Sequence, residues 1–168
     1  MESIKKIYTI GNGPSSSHTI APHRAALQFK ERTPNAEKYR VTLYGSLAAT
    51  GKGHFTDKTI IEALMPINTE IVWKPTVFLP FHNNAMFFEA LNTQNEVVDS
   101  WTIYSIGGGA LADENTKLTQ EHIYEHSSMT EILKYIDEHG LTFWEYVAHH
   151  EGDDIWDFFL AHLTAGRK

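Results

Sequence analysis

Three histidines stand in turn-like settings: His18 in Ser16-Ser17-His18-Thr19, His54 in Lys52-Gly53-His54, and His82 in Phe81-His82-Asn83-Asn84. Imidazole exchanges protons near neutral pH and ligates metals as the neutral ring. Each of the three flanks the end of a predicted element, where sites are usually assembled. As a set they suit a zinc or iron site, or acid–base and carboxylate-binding groups around a small polar substrate. Three unrelated surface histidines would share this spacing. The other histidines, including the pair His149-His150, read as surface or packing residues.

His18 lies in Gly11-Asn12-Gly13-Pro14-Ser15-Ser16-Ser17-His18-Thr19, which follows an apolar segment (Ile4, Ile7, Tyr8, Ile10) and precedes an amphipathic run. That pattern predicts a strand-to-helix loop. Glycine and proline there set an unusual backbone path. Hydroxyls of the Ser/Thr cluster cap the helix, and its free N–H donors sit at a positive helix end suited to a carboxylate or phosphate. Because Ser and Thr cap helices generally, the loop alone marks a generic anion-binding helix start.

Two further motifs carry less. Gly45 to Lys52 has one residue too many for a phosphate loop, and Gly53 stands where a Ser or Thr would bind magnesium, which argues against nucleotide binding. His122-Ile123-Tyr124-Glu125-His126 fits the H-x-x-E-H pattern of one metalloprotease class, with Glu145, His149 or Glu151 as a third ligand. So short a pattern arises easily by chance in a histidine-rich chain.

The elements that position these residues follow from local signals. A helix is predicted from about Ile20 to Arg32, with Pro22 in its first turn, where a missing N–H costs little. Tyr39 to Tyr44 alternates as a half-buried strand, and Gly45-Ser46 stops it. A helix capped by Thr56 or Asp57 runs to Pro66. Ile71-Val72-Trp73 and Thr76 to Leu79 read as one strand interrupted at Pro75. Met86 to Leu91 and Val97 to Tyr104 form a hairpin around Asn92 to Asn95, ended by Gly107-Gly108-Gly109. Residues 113–127 read as a polar surface excursion. Ser128-x-x-Glu131 and Thr142-x-x-Glu145 are capping boxes that open two helices separated by Gly140. A last aromatic-rich helix carries Ile155, Trp156, Phe158, Phe159, Leu160 and Leu163, a face that packs on the sheet or docks on a partner. The order of elements predicts an α+β fold, a mixed β-sheet covered by helices with a helical C-terminal region.

Composition narrows the classes. The 168 residues suffice for one core and are short for two full domains. A formal charge of −7 with dispersed Lys and Arg argues against nucleic acid as a partner. No apolar run has the length of a secretory signal or a membrane span. With no cysteine, the chain has no thiolate for catalysis, disulfides or cluster ligation.

At the histidine loops the sequence resembles the β domain of bacterial iron–sulfur L-serine dehydratases (L-serine ammonia-lyases). The matching segments occur in order: Gly13-Pro14-Ser15-Ser16-Ser17-His18-Thr19, Leu43-Tyr44-Gly45-Ser46-Leu47, Thr50-Gly51-Lys52-Gly53-His54 with Thr56-Asp57, Leu79-Pro80 with His82 and Asn84-x-Met86, and Tyr104-Ser105-Ile106-Gly107-Gly108-Gly109. The Tyr-Gly-Ser-Leu wording is similar to the single-chain type, in which β and α domains share one polypeptide. Ala21, His23 and Ala85 depart from the family pattern, and the segment between Met65 and Leu79 is short.

The resemblance implies residues 1–127 as the β domain and 128–168 as a helical extension leading toward an α domain absent from this chain. It implies a cytoplasmic homodimer in amino-acid degradation and gluconeogenesis, converting L-serine to pyruvate and ammonia. The [4Fe–4S] cluster of the complete enzyme would be held by α-domain cysteines, so the chain alone would lack both cluster and activity. His18, His54, His82 and Asn84 would face that cluster. Ser15, Ser16, Ser17, Thr19 and Ser105 would bond the substrate carboxylate or the loop itself. Which histidine is a base stays open. The competing readings are a regulatory or assembly module that binds a small carboxylate, related in fold to a ligand-binding domain of some phosphoglycerate dehydrogenases, and a stand-alone histidine-ligated metalloprotein.

Overall fold

The computed structural model describes residues 1–11, 13–116 and 122–165; Asn12 of the opening loop, residues 117–121 of the expected polar excursion and the terminal Gly166-Arg167-Lys168 lie outside them. The chain divides into two compact units, one of Gly11–Lys117 and one of Met1–Ile10 with Leu118–Lys168.

The larger unit is a mixed sheet with helices on one face, an α+β architecture. Its elements in chain order are α1 (Ala21–Arg32), β1 (Lys38–Tyr44), α2 (Gly45–Thr50), α3 (Thr56–Leu64), β2 (Asn68–Lys74), β3 (Ala85–Leu91), β4 (Val97–Gly107) and β5 (Ala110–Ala112). The strand order is β2-β1-β3-β4-β5, parallel between β1 and β2 and antiparallel elsewhere. Two-residue alternation sends Tyr39, Val41 and Leu43 of β1 to one face, opposite Met86, Phe88 and Ala90 of β3. There they meet Ala25, Ala26 and Phe29 of α1 and Ile60, Ala63 and Leu64 of α3. Phe29 anchors the layer junction, its ring 5.8 Å from Tyr39 and 5.4 Å from Phe88. Arg40 projects from the opposite face of β1, where it pairs with Glu70 and Glu89.

Several expectations are met closely. The first helix starts at Ala21 with Pro22 in its first turn. The β3–β4 hairpin turns at Asn92, whose Oδ1 accepts the Gln94 and Glu96 N–H groups, while Asn95 takes φ 61°. Others are corrected. No strand precedes the opening loop: Ile4–Ile7 is a single 3-10 turn held by Ser3 Oγ, which accepts the Lys5 N–H, and Ile7, Tyr8 and Ile10 are exposed. Beyond Pro75 the chain does not resume β2. It turns through Val77 N–H to Lys74 O, leaving Val77 and Phe78 exposed. α3 has no side-chain cap; Phe55, in the left-handed region, precedes it. The short strand β5 carries too few residues to show a pattern.

The smaller unit holds α4 (Met129–His139), α5 (Phe143–Glu151) and α6 (Ile155–Ala165). Both capping boxes are formed, and Gly140 ends α4 at φ 63°. Tyr124, Ile132 and Tyr146 make its core with Ile4, Ile123, Tyr135 and Ile136 around them. The Glu151 carboxylate accepts from Ser3 Oγ, the Ile4 N–H and Tyr124 Oη, each at 2.7 Å. Burial works to raise the Glu151 pKa, but these three donors and nearby Lys5 bring it below the ordinary carboxylate value. Trp144, Trp156, Leu160 and Leu163 are exposed. No helix of the described residues is long and apolar enough to cross a membrane.

Candidate active site

His18 is held by a wide turn, Ser16–Ile20, that feeds directly into α1. Both Thr19 and Ile20 N–H groups reach the Ser15 carbonyl, at 3.0 and 3.1 Å, and the Ala21 N–H reaches Ser16 O. This five-residue spacing is the loosened winding that recurs at functional sites. Ser15 closes its start, its Oγ accepting the His18 N–H at 3.2 Å. Thus the Ser-rich stretch forms the helix start expected of it, its hydrogen-bonded rings one residue wider than in a regular α-helix.

The two ring nitrogens of His18 meet two hydroxyls, Ser17 Oγ at 2.9 Å and Ser46 Oγ at 3.4 Å. The His54 ring lies 4.9 Å away, centroid to centroid, tilted by 40°. Its Nδ1 is 3.0 Å from the Thr50 carbonyl. A carbonyl only accepts, so neutral His54 carries its proton on Nδ1 and leaves Nε2 as an acceptor. Burial, then the neighbouring His54, pushes the His18 pKa below 6.5, opposed by hydrogen bonding to Ser46. At neutral pH this pair is therefore poised with an uncharged His18, able to take up a proton.

The His82-Asn83-Asn84 turn is brought to the same end of the sheet by Gly45. Gly45 takes φ 50°, and a Cβ there would collide with the Asn83 carbonyl oxygen. That close approach lets the Ser46 N–H reach Asn83 O at 3.3 Å, while the Gly45 N–H reaches Val77 O at 2.9 Å. His82 Nδ1 accepts the Asn84 N–H at 3.1 Å, which places the proton of the neutral ring on Nε2. Asn84 O in turn accepts the Ser105 N–H at 2.9 Å. Two side-chain atoms at this junction, Asn84 Oδ1 and Ser105 Oγ, are buried with no hydrogen-bond partner among the described residues. Buried polar atoms are nearly always paired, and one left open at a site is a natural ligand contact. Beyond Ser105 the Gly107-Gly108-Gly109 turn takes φ values of 106°, 58° and 81°, and Arg24 Nη1 donates to Gly109 O at 3.0 Å.

The residues singled out by sequence thus fall into two groups. His18 and His54 are in ring contact; His82, Asn84 and Ser105 are chained through backbone; Ser46 joins the groups by its side chain on one side and its N–H on the other. Ser15 and Ser17 face each other at 3.4 Å beside His18. Thr19 is buried, and its hydroxyl donates to His54 O at 3.0 Å, a bond within the protein. Ser16 contributes its carbonyl to the turn. Among the described residues no three His, Cys, Asp or Glu side chains are arranged to hold a metal ion, so the three loop histidines do not assemble as a ligand set. The H-x-x-E-H pattern fails for a separate reason. Residues 122–127 are not helical, because α4 starts only after the Ser128 cap, and the Ile123 and Tyr124 N–H groups pair with Met1 O.

Two residues that bond His18 carry no obvious sequence signal of their own. Ser46 reads as a strand-stop residue, and Thr56 as a helix cap; each proves to bond His18. A hydroxyl next to a glycine at a strand end, and one two residues after a loop histidine, were the available hints.

A family model described as serine dehydratase beta chain matches residues 3–72 and 63–116. The chain is 32% identical to L-serine dehydratase 1 of Escherichia coli (strain K12), over 97% of this chain and 47% of that protein. It is 32% identical to the L-serine dehydratase of Helicobacter pylori (strain J99 / ATCC 700824), over 82% of this chain and 40% of that protein. To the L-serine dehydratase of Mycobacterium bovis (strain ATCC BAA-935 / AF2122/97) the figures are 35%, 68% and 33%. The chain spans less than half the length of these curated relatives. The family match runs through each loop that carries a site residue, from Ser15 to Ser105, and the chain belongs to the serine dehydratase beta-chain family.

Proposed function

We propose that this chain is the β domain, or a β subunit, of an L-serine dehydratase, an ammonia-lyase that yields pyruvate and ammonia. The observation that carries this reading is the junction of two histidine rings in contact, His18 and His54, with two open polar atoms, Asn84 Oδ1 and Ser105 Oγ, on loops matched by the family model. In the reaction the α-proton of serine is taken by a base, the β-hydroxyl departs as water, and the resulting aminoacrylate hydrolyses to pyruvate and ammonia. His18 and His54 are the proton acceptors this chain offers. Asn84 Oδ1 can only accept and suits the substrate ammonium, whereas the hydroxyls of Ser15, Ser16 and Ser17 at a helix start suit its carboxylate. Ser105 Oγ can serve either end. Thr19 supports the loop rather than the substrate. His82, oriented by the Asn84 N–H, completes the polar set.

A [4Fe–4S] cluster does not fit the donors of this chain, which has no cysteine and, among the described residues, no three converging metal-ligating side chains. Thiolate ligands therefore belong to an α domain or α subunit, toward which residues 128–168 lead. The chain by itself is inactive on this reading. Homodimerisation, a cytoplasmic setting and a place in amino-acid degradation rest on the family resemblance. The test mixes the purified chain and L-serine with and without a polypeptide carrying the α domain, its cluster reconstituted under anaerobic conditions. Pyruvate forms only in the mixture; robust production by the chain alone would overturn the proposal.

A further inference from the structure

The histidine pair sits on two loops that are far apart in sequence, and the loops are tied by two crossed bonds. Thr19 Oγ1 donates to the carbonyl of His54 at 3.0 Å, and Thr56 Oγ1 donates to the carbonyl of His18 at 2.7 Å. Each threonine thus holds the main chain of the histidine on the opposite loop. Both are shut away from solvent, at 2% and 0% exposure, so water cannot readily replace either bond. Space for the Thr56 hydroxyl is left by Gly51, where a Cβ would lie 3.1 Å from Thr56 Oγ1 and would collide with Leu47 O. The Thr56 N–H returns to Gly51 O at 2.9 Å, which fixes the threonine in its own loop.

We infer that Thr19 and Thr56 are a reciprocal pair of positioning residues that hold the His18 and His54 rings in contact. Neither hydroxyl is directed at a ligand in this arrangement, since each is spent on a carbonyl. Their influence passes through the two histidine backbones, whose separation sets the ring distance of 4.9 Å. A plain packing role would be satisfied by any side chain of the same shape, whereas the clasp needs the hydroxyl. Valine keeps the shape of threonine and removes the hydroxyl; serine keeps the hydroxyl and loses a methyl.

The catalytic meaning of the pair rests on the serine dehydratase reading, but the clasp is testable without activity. The experiment is an NMR titration of histidine ring resonances in the full chain, comparing wild type with Thr56→Val, Thr56→Ser and Thr19→Val. The amide spectrum monitors the fold. Expected for Thr56→Val is a weakened or lost cross-relaxation signal between the His18 and His54 rings, with His18 titrating closer to its ordinary value, because His54 and its shielding have moved away. Thr56→Ser keeps both signals. Thr19→Val shifts them in the same direction as Thr56→Val, and decides the matter should Thr56→Val fail to fold. Wild-type ring signals in a folded valine variant, or equal losses in the serine and valine variants of Thr56, would overturn the inference. In the complete enzyme the same Thr56→Val change lowers kcat by about tenfold or more through misplacement of the pair, with KM little altered. Failure of the dehydratase reading would leave the NMR result standing, so the two are separable.

Discussion

Gly45→Ala tests whether the site depends on one close backbone approach. Gly45 takes φ 50°, in the left-handed region, where an L side chain costs roughly 1–2 kcal/mol. The added Cβ would also lie 3.0 Å from Phe78 Cδ1, but Phe78 is exposed and can swing aside. The Asn83 carbonyl is backbone and cannot, so the His82-Asn83-Asn84 turn must shift. Forced shifts of this kind cost about 1–3 kcal/mol. Together the two effects remove about 2–5 kcal/mol, which lowers the melting midpoint by roughly 4–20 °C in a chain of this size. The control is Gly53→Ala. Its Cβ would meet only Thr50 O at an ordinary 3.5 Å, and its change should stay within about 0.5 kcal/mol. Thermal unfolding of both variants is compared with their amide spectra, read at Ser46, Asn83 and Asn84. Equal stability of the two variants, with unmoved Ser46 to Asn84 resonances in Gly45→Ala, would refute the close-approach argument.

Two further outcomes follow from the same geometry. Because the folded state holds the His18 pKa below 6.5, the unfolded chain binds that proton more readily. The stability contributed by neutral His18 is whole above 6.5 and is lost as the pH falls through the lower folded value. Denaturant midpoints should therefore drop more steeply on acidification in wild type than in His18→Asn, and parallel curves would contradict this. Phe29→Ala removes a fully buried ring from the α1–sheet junction and should cost about 3–5 kcal/mol in urea unfolding. A loss below about 1 kcal/mol would mean the junction is not the anchor described.

What could be read from sequence were features whose cause is local. The Tyr39 to Tyr44 alternation, Pro22 in a first turn, the Asn92 hairpin and the capping boxes at Ser128 and Thr142 each act within a few residues. The site is different, because its bonds join residues far apart. Ser46 reaches His18 across 28 positions, and Thr56 reaches it across 38. No periodicity encodes such contacts. Family resemblance found the histidines and Asn84, yet Ser46 and Thr56 entered it as flanking letters without a role. Local pattern also misled where tertiary bonds prevailed. Ile4 to Ile10 has strand-like residues, yet Ile4–Ile7 winds into a 3-10 turn capped by Ser3, and Thr76 to Leu79 gives up pairing once Val77 O accepts the Gly45 N–H. The segment from His122 to His126 resembles a ligand helix, but the helix starts past it.

The central claim is that this chain contributes the histidine half of an L-serine dehydratase site. Its most direct test is pyruvate formation by the complete, α-containing enzyme carrying His18→Ala, His54→Ala or His82→Ala in this chain. Loss of a positioned acid–base group lowers turnover by about 10²–10⁴-fold, and each variant should show a sharp fall with its amide spectrum and melting midpoint preserved. Full activity in all three would contradict the account.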